Sequence, residues 1–193
     1  MRASSIATAF AAALTLTAAP LAAAPWTIDK AHTAVAFSVD HLGFSLVNGV
    51  FREFDATVDF DPENMETASV SFTIRAASVD TFWEARDKHL RSGDFLDVEA
   101  HPEITFTSKQ VRLTGPNTAE ITGDVTIKGE TREETFVATL RRIGPSPFNP
   151  DIQIAGLAIE GEIDRTEYGV DFGAPAIGAT IPIRIDTEIS PAG

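Results

Sequence analysis

From residue 25 onward the chain alternates apolar and polar residues with a period of two, and this pattern limits what it can fold into. A period of two places successive side chains on opposite faces of an extended strand, so each segment has one face to bury and one to leave in water. Val35, Phe37 and Val39 share a face over 33–40. Over 49–61, Phe54, Ala56, Val58 and Phe60 oppose Asp55, Thr57 and Asp59. Val70, Phe72 and Ile74 oppose Ser69, Ser71, Thr73 and Arg75. Ile104 and Phe106 oppose Thr105 and Thr107, and Ile121, Val125 and Ile127 oppose Thr122, Asp124 and Thr126. Leu157, Ile159 and Ile163 oppose Glu160, Glu162 and Asp164, while Ile181, Ile183, Ile185 and Ile189 oppose Arg184, Asp186 and Glu188. The apolar faces are expected to carry no charged residue.

Short turns rich in Gly, Pro and Asn separate these segments: Asp61-Pro-Glu-Asn64, Gly115-Pro-Asn117, Gly129-Glu130 and Gly144-Pro-Ser-Pro-Phe-Asn-Pro150. Such turns join antiparallel neighbours. The pattern predicts an all-β chain of eight or more strands, several of them ten residues or longer. Two architectures bury one face per strand: two packed sheets, or an up-and-down barrel closed on its own apolar face. A ten-residue strand spans about 33 Å. Tilted by about 40° it forms a barrel wall about 25 Å tall. Strand length and the charge-free faces favour the barrel. An eight-stranded barrel is either filled by its side chains or holds one small ligand, and alternation does not distinguish the two.

One stretch breaks the period. In Ser78-Val-Asp-Thr-Phe-Trp-Glu-Ala-Arg-Asp-Lys-His-Leu-Arg-Ser-Gly-Asp-Phe-Leu-Asp97, Phe82, Arg86, His89 and Leu90 recur at spacings of three and four, as on one face of a helix. A helix over about 82–92 is expected at a barrel end. Thr81 is its candidate N-cap, with Glu84 completing a capping box, and Gly93 its stop.

Residues 1–24 read as a secretory signal peptide: Arg2, an Ala/Leu run, then Ala22-Ala23-Ala24. One domain, 25–193, remains, long enough for a sizeable core. The chain contains no cysteine, which excludes a disulfide scaffold and fits an exported protein held by its core in a bacterial periplasm. Outside 1–24 no apolar run reaches the roughly 20 residues of a membrane helix. The net charge is −13, and it argues against nucleic acid and against electrostatic docking on anionic lipid.

A set of short motifs then appears in order: Trp26-Thr-Ile-Asp-Lys-Ala-His32, His41-Leu-Gly43, Gly49-Val-Phe51, Val58-Asp-Phe-Asp61, Ser78-Val-Asp-Thr81, Arg86-Asp-Lys-His-Leu90, Asp94-Phe95, His101-Pro-Glu-Ile-Thr-Phe-Thr-Ser108, Gly123-Asp-Val-Thr-Ile-Lys-Gly129 and Asp164-Arg-Thr-Glu-Tyr-Gly169. In this order the chain resembles the YceI-like family of periplasmic lipid or polyisoprenoid binders. It departs from the family pattern at Asp164, more often Asn, and at His101-Pro102, more usually aromatic-Pro. The resemblance implies an extended lipocalin-like barrel with a long apolar tunnel for one isoprenoid or related lipid chain. It further implies a non-enzymatic carrier or storage role in the periplasm, with quinone-like lipids and stress responses among relatives.

On that reading the tunnel lining is Phe37, Val39, Phe54, Val58, Phe72, Ile74, Ile104, Phe106, Val125, Leu157, Ile159 and Ile183, and the polar mouth is His41, Arg86, Asp87 and His89. The bland reading of the same mouth residues is mechanical: they pin the helix, with Arg86 on a carboxylate such as Asp80 or Asp94. The four histidines, His32, His41, His89 and His101, form no close pair of metal-ligand spacing, so no metal is expected. Glu53, Asp55, Asp59 and Asp61 alternate on exposed positions rather than facing each other as a catalytic pair. Ser78 lacks a Gly-x-Ser-x-Gly elbow. No cofactor is expected beyond a bound lipid, and a homodimer stays open. The competing function is a periplasmic, stress-related interaction module built on a filled barrel.

Overall fold

A computed structural model describes residues 25–192; the expected signal peptide lies outside them. The strands are β1 (Pro25–Ile28), β2 (Ala34–His41), β3 (Ser45–Phe51), β4 (Phe54–Asp59), β5 (Ser69–Arg75), β6 (Val79–Asp80), β7 (Glu103–Gly115), β8 (Thr118–Ile127), β9 (Glu130–Pro145), β10 (Gln153–Asp164) and β11 (Thr180–Pro191). The α-helix among the described residues, α1, runs over Glu84–Leu90.

All pairings are antiparallel, and three pairs of short strands act as single interrupted staves. β1 and β2 lie one after the other along β11, β1 against Ile189–Pro191 and β2 against Ile183–Asp186. β4 continues β3 beyond a break at Arg52–Glu53, with β1 beside the one and β2 beside the other. β6 likewise continues β5. The ring β1/β2, β3/β4, β5/β6, β7, β8, β9, β10, β11 closes where β11 meets β1 and β2. It is an eight-stave barrel, closed around its far half, while at the helix end β6 pairs with β3 alone. The segment 49–61, expected as one strand, is therefore two, broken where Arg52 N–H donates to Ser78 O and Arg75 N–H to Glu53 O.

Bulges shift the inward face by one residue. In β7 the inward set passes from Ile104 and Phe106 to Val111 and Leu113 across Ser108–Gln110. In β9 a bulge facing Gly156–Leu157 separates Leu140 from Ile143. The expectation of charge-free inner faces fails in β9. Glu134 pairs with Gly123, on the same face as Val125, and its carboxylate is met by the Tyr168 hydroxyl at 2.7 Å. Tyr168 is fully buried, and burial together with that bond raises its pKa.

Two buried clusters stand toward the two ends. Phe95, Val125, Phe136, Ile163, Tyr168 and Val170 pack under the helix. Trp26, Val58, Phe60, Ala155 and Ile189 pack at the opposite end, with Trp26 and Phe60 edge to face at 5.2 Å. Close approaches thin the wall between. Phe37 covers its cross-strand partner Gly49, where a Cβ would lie 2.3 Å from the ring, and Phe136 covers Gly161 in the same way.

The helix is shorter than expected and capped differently. Its N-cap is Trp83, with no side-chain cap bond, and its C-cap is Arg91, two residues before Gly93. Thr81 is not the cap. Its N–H and hydroxyl both donate to Asp87 Oδ1, at 2.8 and 2.5 Å, from two residues before the cap. Phe82 lies off the helix in the left-handed region, φ 65°, with its side chain in solvent. Asp87 is 4 % exposed and accepts both bonds in place of water. Replacing it with alanine leaves a buried N–H and hydroxyl unpaired, so Asp87→Ala is expected to lose about 1–3 kcal/mol of stability in urea denaturation. Near-native stability would show that this bond pair does not hold the helix.

Candidate functional site

The barrel encloses an apolar cavity of about 510 Å³ between the two clusters. It runs from Arg86, His89 and Leu90 under the helix to Met65, Leu113 and Asn117 at the far end. Eleven of the twelve residues expected to line a tunnel border it: Phe37, Val39, Val58, Phe72, Ile74, Ile104, Phe106, Val125, Leu157, Ile159 and Ile183. Phe54 does not. It faces Ile74 at the start of β4 and stacks on Phe72, with ring centres 6.0 Å apart, without reaching the space.

Of the expected mouth residues, His41, Arg86 and His89 border the cavity and Asp87 does not. Asp87 points away from the cavity, toward Thr81, because neighbouring positions on a helix point about 100° apart. The expected partner of Arg86 is also corrected. Its Nε donates to Thr81 Oγ1 and a terminal nitrogen to Thr81 O, both at 2.6 Å. Asp80 is taken by Arg52 at 2.5 Å and Asp94 by His89 at 2.9 Å. Arg86, Thr81 and Asp87 thus form a relay in which the guanidinium donates to a hydroxyl that donates to a buried carboxylate. One end pins the helix and the other faces the cavity, so anchor and cavity wall are consecutive parts of one hydrogen-bonded chain.

Sequence reasoning missed Arg165, which borders the cavity and is 7 % exposed. It donates to the carbonyls of Gly178, Val170 and Ile177 and so ties the 165–178 loop to itself. Burial lowers its pKa. Phe172 and Ile177 of this loop also border the cavity. Phe172 stands edge-on to His89 at 5.1 Å, and Ile177 bridges to His41. The cue available in the sequence was Asp164-Arg-Thr-Glu-Tyr-Gly169, whose Arg sits where period-two alternation ends. Asp164 itself caps the turn, accepting from Thr166 N–H at 2.9 Å and from the Thr166 hydroxyl at 2.6 Å. Thr187, at an inward position of β11, is a further polar wall residue and bonds Thr33 at 2.7 Å.

Among the described residues one acidic and histidine group, Asp29, His32 and Glu188, has ligand-capable atoms within 4.8 Å of one another. It lies outside the cavity. His32 Nδ1 and Asp29 Oδ2 are 2.8 Å apart. This pairing raises the His32 pKa above its ordinary 6.5 and, with the Ala31 N–H, lowers that of Asp29. The ion pair therefore stabilises the fold in the window between. The His32 contribution is full below the unfolded value and is lost as pH rises through the folded pKa; the Asp29 contribution is lost as pH falls through its own depressed pKa. An NMR titration is expected to place the His32 midpoint above 6.5, and Asp29→Asn to bring it down. An unchanged midpoint in that variant would remove the pair as the cause.

Comparison with known proteins follows the same geometry. The model of the YceI-like domain matches residues 26–189. A UPF0312 protein of Pseudomonas putida is 35% identical over 175 residues, covering 90% of this chain and 90% of its own. The Campylobacter jejuni YceI protein superposes with a TM-score of 0.73 at 27% identity, over 80% of this chain and 90% of its own. A polyisoprenoid binding domain from Saccharophagus degradans shares the fold, with a TM-score of 0.65 at 12% identity over 86% of this chain and 98% of that one. With the family model spanning nearly the whole barrel, the chain belongs to the YceI-like family.

Proposed function

We propose that this protein binds one long-chain lipid, an isoprenoid or quinone-like molecule, in the barrel cavity and carries or stores it in the periplasm without chemical change. The observation that carries this reading is the continuous apolar space of about 510 Å³ inside a closed eight-stave ring. A structural barrel of this stave number has enough inward positions to fill itself. Here Ala56, Ala119 and Ala138 occupy wall positions where larger side chains would fill it. The volume falls within the roughly 300–1,000 Å³ of small-molecule sites. The polyisoprenoid-binding neighbour and the family membership support the same ligand class.

Energetics favour a chain over a compact ligand. Each buried CH₂ contributes about 0.8 kcal/mol, so ten contribute roughly 8 kcal/mol before association costs are subtracted. Affinity thus grows with the length of tunnel occupied. His41, His89, Arg86 and Arg165 make the helix end the polar one, suited to orienting a head group while the chain runs toward Met65 and Leu113. Export through residues 1–24 is part of the proposal and places the carrier where such lipids cross an aqueous gap. The filled-barrel interaction module is not favoured by this interior.

Native mass spectrometry and organic extraction of protein taken from its own host test the reading. A bound lipid is expected. Repeated recovery of empty protein, together with no uptake of added isoprenoid, would sink it. Ala119→Phe gives a sharper outcome. Ala119 and Ala138 are cross-strand partners, so one ring can use the room both leave, at a cost of about 1–3 kcal/mol. The variant is expected to reject the longest chains and retain shorter ones. Unchanged chain-length preference would place the lipid elsewhere.

A further inference from the structure

The helix end carries apolar side chains that the cavity does not use. The turn between β2 and β3 presents Leu42, Phe44 and Leu46 at 50%, 89% and 63% exposure. Phe82 and Trp83 are exposed at 70% and 65%. Register puts both groups at one end. β6 pairs Val79 with Phe51 and Asp80 with Val50, so the chain leaving Asp80 runs in the direction of Leu46. The same end holds His41, His89 and Phe172, which are exposed and also border the cavity. The apolar groups therefore stand around a place where the cavity meets solvent.

Two of these side chains are held outward at a backbone cost. Leu42 has φ 59° and Phe82 φ 65°, a region that bulky residues rarely occupy. The conformations are enforced. Leu42 N–H donates to Ala176 O, Asp40 accepts from Gly43 N–H, and Asp80 accepts from Phe82 N–H. A large apolar side chain in a strained, tied and exposed position gains nothing from folding the barrel, so its burial has to come from outside.

Charge selects the partner. Residues 41–46 and 82–83 contain no Asp, Glu, Lys or Arg, and the chain as a whole is at −13. An anionic surface is repelled by such a body and finds no basic patch in these segments. The opposite end, where Leu113 and Asn117 border the cavity, also exposes Phe148 and Ile152. Acidic residues stand at both ends, Asp61, Glu63, Glu66 and Asp151 at this one and Glu84, Asp94 and Asp171 around the helix. What sets the helix end apart is that its apolar residues surround the cavity opening. Aromatic and aliphatic side chains grouped without charge suit the interfacial zone of an uncharged bilayer.

We propose that the Leu42–Leu46 turn and the Phe82–Trp83 corner dock the helix end of the barrel on a zwitterionic lipid bilayer, so that a lipid chain passes between membrane and cavity without crossing water. The inference rests on the lipid-binding reading for its purpose, but the docking is measurable without it. Trp83 is a built-in probe, because the other tryptophan, Trp26, is buried at the far end.

The experiment uses phosphatidylcholine vesicles with the protein and its Phe44→Ser/Leu46→Ser variant, identical elsewhere. Both substitutions fall on exposed positions, and circular dichroism checks that the variant is folded. Co-sedimentation is expected for the parent, insensitive to added salt, and at least about tenfold weaker for the variant. Brominated phosphatidylcholine is expected to quench Trp83, with the quenching absent in Trp83→Phe. No sedimentation, equal sedimentation of the two proteins, or binding confined to anionic vesicles and lost in salt overturns the proposal. A dimer in solution that dissociates in the variant, without vesicle binding, overturns it in favour of self-association. Delivery of an isoprenoid from cyclodextrin separates the two readings. Uptake without vesicle binding removes the docking alone, and vesicle binding without uptake removes the lipid-carrier reading alone.

Discussion

Closure of the backbone hydrogen-bond ring governs this molecule. Once β11 has paired with β10 on one side and with β1 and β2 on the other, the number of staves sets the width of the barrel, and side chains alone determine whether the interior is solid. A closed ring cannot collapse onto a smaller core as an open sheet can, because doing so would cost hydrogen bonds around its circumference. Alanines on the inner wall therefore leave space that the walls do not close. The cavity follows from closure combined with small inward residues, and its apolar character follows from the same alternation that makes the strands.

The helix end shows how one set of residues serves fold and cavity together. Asp87 is buried and bonded to Thr81, while Arg86, its neighbour, bonds the same threonine from the cavity side. Arg165 repeats the device with three backbone carbonyls. In both cases a guanidinium at the cavity wall is held by neutral oxygen acceptors. A carboxylate partner would have neutralised that positive charge, whereas neutral acceptors leave it in place at the cavity wall. The outward ion pairs, such as Lys109 with Asp124 and Glu133, are exposed and contribute little to stability.

Much of this could be read from residue patterns. Most strands lie within a few residues of where alternation placed them, and the inward residues of β2, β5, β7, β8, β10 and β11 were identified from parity. The motifs in order named the family. The errors have local physical causes. Parity cannot register a bulge, so the shift after Phe106 went unseen. The break at Arg52–Glu53 flips the inward parity, from Val47 and Phe51 in β3 to Ala56 and Val58 in β4, and the alternation that begins at Phe54 does not show it, so 49–61 read as one strand. Thr81 satisfies the capping pattern by spacing, yet Phe82 turns through the left-handed region and moves the helix start to Glu84. Asp87 looked like a mouth residue because it sits beside Arg86, but adjacent helical positions face different ways.

The sequence by itself determined the strand class, the apolar inner face, the polar outer one and the place of the single helical interruption, because these depend on side-chain order along the chain and on local stereochemistry. Only the tertiary structure decided that the staves close without filling their interior, that Arg165 reaches the same wall as Arg86, and that Leu42, Phe44, Leu46, Phe82 and Trp83 gather at one end. Those facts depend on which distant segments become neighbours when strands pair, and residues tens of positions apart acquire a shared surface only at that step.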